Sequence, residues 1–177
     1  MIIDGKMAER DAVLQTAAQM CAAARTAPKT RGMDYIKTCI VTGEDREQLA
    51  AEMERLAAQL DYAFFTRDAG CVRKSEAVVL VGVTGARRGL NEGCGYCNNE
   101  NCAACAAVDG ICVYDPMDLG IALGSAVSVA ADNRVDSRIM FSAGKAGLSL
   151  GFLGEDVSIV MGIPVSATGK SPYFDRG

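Results

Sequence analysis

Residues 93–112 read Gly93-Cys94-Gly95-Tyr96-Cys97-Asn98-Asn99-Glu100-Asn101-Cys102-Ala103-Ala104-Cys105-Ala106-Ala107-Val108-Asp109-Gly110-Ile111-Cys112. Five of the chain's eight cysteines therefore fall within this one stretch. Its apolar residues follow neither a helical nor a strand period, so it reads as a loop that divides the chain. Before it the order is helix, strand, helix, strand; after it, helix, helix, strand. That order gives an α+β chain with a cysteine-rich loop at about 85–114 inserted in a single domain spanning 1–177. The spacing Cys94-x2-Cys97-x4-Cys102, with the more distant Cys112, is one that iron–sulfur proteins use. Gly93 and Gly95 flank the first cysteine and let the backbone curl around an inorganic core.

The competing reading is a structural zinc site, since Cys94-x2-Cys97 and Cys102-x2-Cys105 form two CxxC pairs. Zinc ribbons usually separate their pairs by a longer loop than the one here. The chain has no histidine, which removes mixed Cys/His zinc sites and Rieske-type ligation. Composition narrows the rest. Half the residues are hydrophobic, 6% are aromatic and none is tryptophan, which favours a core of small aliphatic side chains. A net charge of −4 argues against nucleic acid as a partner. The beginning MIIDGKMAERD carries three acids and no sustained apolar run, so it does not read as a leader. No apolar stretch is long enough to span a bilayer. A disulfide scaffold belongs to small secreted chains, so the expected location is a reducing, oxygen-poor cytoplasm.

Working outward from the loop, 77–83 (AVVLVGV) is a continuous apolar run and reads as a buried strand. Upstream, the spacing predicts a helix over 7–25 with Leu14, Ala17, Ala18, Cys21 and Ala22 on one stripe, and a strand over 35–42 containing Cys39. It also predicts an amphipathic helix over 44–60 with Leu49, Met53, Leu56, Ala57 and Leu60 inward. Cys21 and Cys39 read as core residues. Segment 61–74, with Cys71, gives no clear period. Downstream, Asp115-Pro116 opens a helix carrying DLGIALGSAVSVAA. A further helix is expected over 134–152, bent at Gly144 and Gly147, then a strand over 156–163.

The stretch 79–90 resembles the TGxxxGxG nucleotide loop of short-chain dehydrogenases. Asn91 stands where the last glycine should be, and no helix opens there to hold a pyrophosphate, so it is not read as a dinucleotide site. Arg87 and Arg88 are expected in a solvated turn, or as a basic rim beside an anionic cluster.

The cysteine loop also resembles the CGxCGxxxC…C four-iron domain of electron-transfer and acetogenic enzymes. That resemblance selects Cys94, Cys97, Cys102 and Cys112 as the ligands of a [4Fe–4S] cluster, with Cys105 as the alternative fourth ligand. Asn98 departs from the pattern, which has glycine there. With GLNEGCGYC, DLGIALGSAVSVAA, DSRIMFSAGKAGLSLGFL and VMGIPVSATGKSPYFDR, nearly the whole chain looks like an uncharacterised bacterial and archaeal family containing a ferredoxin domain. More distantly, the layout resembles the FMN-dependent nitroreductase fold, with a small mixed sheet and a long central helix. That resemblance implies a homodimer with FMN at its interface. By position, Arg25, Lys29, Arg31, Lys170 and Arg176 would hold the flavin phosphate, a role that suits guanidinium and ammonium groups. Gly124 and Ser125 would let the central helix approach the flavin ring. The expected function is a flavin-linked iron–sulfur oxidoreductase that exchanges electrons with a partner protein. The alternatives are a non-enzymatic electron carrier or redox sensor, and a structural zinc protein.

Overall fold

The structure, a computed structural model, describes residues 1–174 of the 177. The chain builds helices α1 (Gly5–Thr26), α2 (Gly43–Leu60), α3 (Ala63–Arg73), α4 (Cys102–Ala107), α5 (Tyr114–Asp132) and α6 (Phe141–Ser149). Its strands are β1 (Ile36–Val41), β2 (Ala77–Thr84), β3 (Asp136–Ser137) and β4 (Val157–Ser166). The sheet order is β1-β2-β4-β3. Where a mixed sheet was expected, each of these pairings is antiparallel; the α+β class stands.

β2 explains the layering. Its first seven residues are all buried, and alternate side chains enter two different cores. Ala77, Val79, Val81 and Val83 pack with α1 and α5 on one face. Val78 and Leu80 pack with α2, α3 and α6 on the other. A strand covered on both faces must be apolar throughout, which is why the run AVVLVGV shows no alternation.

Several expectations need correction. The inward stripe of α1 is Val13, Thr16, Ala17, Met20 and Ala24, whereas Ala18 and Ala22 are exposed. A stripe of alanines has too little contrast to fix the helix rotation; the larger Val13 and Met20 decide it. On α2 the inward residues are as expected, except that Leu60 is exposed at the helix end. Segment 61–74, which gave no period, contains α3, with Phe65, Ala69, Cys71 and Val72 buried. The helix expected over 134–152 begins only at Phe141, after the short β3.

Gly144 and Gly147 do not bend α6; they let it lie on the sheet. A Cβ at Gly144 would stand 2.0 Å from the Val160 carbonyl oxygen, and one at Gly147 would stand 2.7 Å from Leu80 Cδ1. β4 continues through Pro164 to Ser166, three residues beyond the expected end. The following tail is bolted down by Tyr173, which is 1% exposed and shares hydrogen bonds with Ser75 Oγ at 3.0 Å and Ser166 Oγ at 2.9 Å. No helix among the described residues is long and apolar enough to cross a membrane.

Candidate metal centre

The connection from β2 to α5 carries the five clustered cysteines, and both of its stems are fixed by buried charge. Arg88 is 1% exposed. Its guanidinium lies 2.9 Å from Asp115 Oδ1 and 2.9 Å from Asp118 Oδ2, and both carboxylates belong to the first turns of α5. The expected solvated turn at Arg88 is thus incorrect, because α5 supplies two buried anions that draw the guanidinium inward. Arg88 also stacks over the Tyr35 ring, 4.6 Å from its centroid. Asp118 Oδ1 accepts from the Thr30 backbone N–H at 3.0 Å and the Thr30 hydroxyl at 2.8 Å. Ala86 N–H donates to Asp115 Oδ2 at 3.3 Å. Burial pushes the Asp115 carboxyl up from its ordinary range, against the pull of the Ala86 N–H and Arg88.

Between these stems the backbone reverses repeatedly. Gly95 has φ +66° and Asn98 has φ +59°. Asn98, which stands where the four-iron pattern has glycine, thus holds the left-handed conformation, and asparagine is among the few residues that tolerate it. Asn101 then caps α4, its side-chain oxygen accepting from Ala104 N–H at 2.9 Å. One helical turn separates Cys102 from Cys105, which places both on one face of α4.

Cys94, Cys97, Cys102, Cys105 and Cys112 line one cavity, together with Arg87, Asn99 and Tyr114. The spacing alone left open which cysteines come together; all five line this one cavity. None of the eight cysteines forms a disulfide. Cys105 is the most enclosed of the five, at 1% exposure, and a Cβ at Gly110 would stand 3.0 Å from its sulfur. Cys112 lines the cavity and also a second, polar cleft that contains Asp109, Asp115 and Ser158.

Polar groups surround the thiols. Asn99 Nδ2 donates to the Cys97 carbonyl at 2.9 Å and approaches Cys97 Sγ at 3.6 Å. This donation holds the Cys97 thiol below its ordinary pKa, whereas burial first, then the neighbouring Cys97, push Cys105 up. Burial first, then the nearby Cys94, push the Tyr114 hydroxyl up. Arg87 Nη2 donates to the Gly110 carbonyl at 3.0 Å, so this arginine does form a basic rim. Soft thiolates backed by hydrogen-bond donors on a loop held at both ends are a donor set that fits an iron–sulfur cluster. No three Cys, Asp or Glu side chains among the described residues are grouped as a ready site for one metal ion.

The proposed flavin residues are arranged differently. Arg25 Nη1 pairs with Asp34 at 2.5 Å and donates to the Ile36 carbonyl at 2.7 Å. Lys29 Nζ donates to the Ala24 carbonyl at 2.8 Å and also to that of Arg25. Arg31 donates to the Arg88 carbonyl at 2.6 Å, tying its turn to the cysteine-loop stem. Ser125 Oγ donates to the Ala23 carbonyl at 3.0 Å, and Gly124 faces open space. Thr168 and Gly169, beside Lys170, share a cleft with Glu9 near the start of α1. Arg25 lies sixteen residues further along α1, about 24 Å away at 1.5 Å per residue. One chain therefore does not bring Lys170 to Arg25. Arg176 lies outside the described residues.

Comparison with known proteins matches residues 108–176 to the model of a family described as uncharacterized proteins containing a ferredoxin domain. An uncharacterized protein of Archaeoglobus fulgidus is 43% identical, over 99% of this chain and 98% of its own length. The chain belongs to this ferredoxin-domain family. The family match includes Cys112 and leaves the other four loop cysteines outside it.

Among solved structures, the nitroreductase CinD from Lactococcus lactis in complex with nicotinic acid superposes with a TM-score of 0.59 at 14% identity, covering 96% of this chain and 81% of CinD. A putative nitroreductase from Desulfovibrio desulfuricans in complex with FMN gives a TM-score of 0.58 at 14% identity, covering 92% of this chain and 78% of that one. At such identities the likeness is one of fold: this member of the ferredoxin-domain family has the nitroreductase fold.

Proposed function

We propose that the protein is an iron–sulfur redox protein whose cluster, of the [4Fe–4S] type, is held by Cys94, Cys97, Cys102 and Cys112. Cys105 is the alternative fourth ligand. The observation that carries this reading is the lining of one cavity by five cysteines within a loop clamped at both ends. Such a cluster supplies one-electron transfer. The chain's part is to hold four thiolates, to place Asn99, Tyr114 and Arg87 against them, and to keep the loop stems rigid through Arg88. The family's ferredoxin domain supports a redox role.

The flavin belongs to the proposal in a specific form. The basic groups near Lys170 and those near Arg25 lie at opposite ends of α1, so a phosphate site drawing on both needs two copies of the chain. A homodimer in the cytoplasm, exchanging electrons with a partner protein, is the assembly this reading requires. The fold and the FMN-bound neighbour favour the flavin. A second reading, an electron carrier without flavin, is favoured by the engagement of Arg25, Lys29 and Arg31 within their own chain.

Anaerobic purification tests both. A broad absorbance near 400 nm with matching iron and sulfide is expected, and uptake of FMN on titration separates oxidoreductase from carrier. A colourless protein with stoichiometric zinc overturns the iron–sulfur reading.

A further inference from the structure

Five polar side chains that are not thiols line the cysteine cavity, Arg87, Asn91, Asn99, Asn101 and Tyr114, and Asn99 approaches the sulfur of a cysteine that the iron–sulfur reading makes a ligand. Asn99 is oriented by the chain itself. The Cys97 carbonyl can only accept, so the amide must turn its NH2 end toward Cys97, as the 2.9 Å contact shows. That NH2 group has a second hydrogen, and Cys97 Sγ lies 3.6 Å away, within reach for a sulfur acceptor. Tyr114 is the first residue of α5, so the Arg88 clamp on Asp115 and Asp118 fixes its backbone. Its ring leans on Tyr96, with centroids 6.3 Å apart, at the edge of the cavity.

We propose that Asn99 is a positioning residue that donates a hydrogen bond to the thiolate of Cys97 and so sets the cluster's reduction potential. The proposal rests on the iron–sulfur reading. One-electron reduction adds a negative charge that spreads over the cluster and its thiolate sulfurs. A donor aimed at a sulfur stabilises the reduced form more than the oxidised one and raises the potential. Arg87, fixed on the Gly110 carbonyl, adds a positive charge of the same effect. No proton moves, and the electron comes from the external donor used in the titration.

The test compares the full chain with its Asn99→Ala and Asn99→Asp variants, which lack the donor, each loaded anaerobically with iron and sulfide and titrated with dithionite under electron paramagnetic resonance. Both variants are expected to keep the iron and sulfide content and to titrate at lower potential. At the potential where the parent is half reduced, the reduced-to-oxidised ratio should fall about tenfold, a shift of about 59 mV for one electron. Unchanged midpoints in loaded variants overturn the inference and leave the cluster reading intact. Variants that fold by circular dichroism but lose the cluster show a residue that only holds the loop, which also overturns it. A parent chain that takes up neither iron nor sulfide overturns the cluster reading itself, and this inference with it.

Discussion

Arg88 Nη2 lies 2.9 Å from Asp118 Oδ2, and neither side chain is more than 2% exposed. The contact joins the end of β2 to the start of α5 across the whole cysteine loop. Removing the guanidinium leaves two carboxylates buried without their counter-charge. Arg88→Ala should therefore cost about 3–5 kcal/mol, read as a lower urea midpoint. An unchanged midpoint would mean that water replaces the guanidinium, and the clamp would lose its role.

The thiolate assignment predicts a graded result. Cys94→Ser, Cys97→Ser, Cys102→Ser and Cys112→Ser should each lower iron and sulfide per chain, because an alkoxide replaces a soft ligand poorly. Cys105→Ser should retain them. Loss at Cys105 with full retention at Cys112 would transfer the fourth position to the more enclosed thiol.

Gly110 has no room for a methyl group. A Cβ there meets Cys105 Sγ at 3.0 Å and the Cys105 carbonyl oxygen at 3.1 Å. Gly110→Ala should displace α4 and weaken cluster loading while the sheet and outer helices keep their thermal transition. Equal iron content in the two proteins would show that the loop adjusts freely.

The two thiols that neighbour each other should titrate in a fixed order. Asn99 lowers the Cys97 pKa, while burial and Cys97 raise that of Cys105. As pH rises, the metal-free chain forms its thiolate at Cys97 first. Pulse alkylation read by mass spectrometry should therefore modify Cys97 at a lower pH than Cys105. The reverse order would refute the donor role of Asn99 at that sulfur.

The assembly prediction concerns α5, whose Met117 and Ile121 are exposed beside Gly120 and Gly124, where a Cβ would meet nothing. Sedimentation at micromolar concentration should give twice the chain mass of 18.6 kDa. A single-chain mass would remove the interfacial flavin.

What was legible in the sequence follows from contrast. β2 and α2 were readable because large aliphatic residues marked their buried positions. α3 was not, because Phe64 and Phe65 are adjacent and point to different environments, one exposed and one buried. The meeting of the cysteines was foreshadowed by spacing alone. The Arg88 clamp was invisible, since its partners lie 27 and 30 residues away. An arginine in a glycine-rich turn gives no sign that two carboxylates on a later helix will enclose it. A signal did exist in Asp115 and Asp118, two acids one turn apart at the start of a helix whose next charge is Asp132.

The double coverage of β2 carries a liability. AVVLVGVT has no charge and no proline, and its side chains are sheltered only while helices lie on both faces of the sheet. Whenever either helical layer detaches, the sheet face it covered becomes a continuous apolar patch on which other chains can associate. Dilution from denaturant at high concentration should therefore yield precipitate rather than monomer, so the protein is better kept folded throughout its preparation than recovered from inclusion bodies.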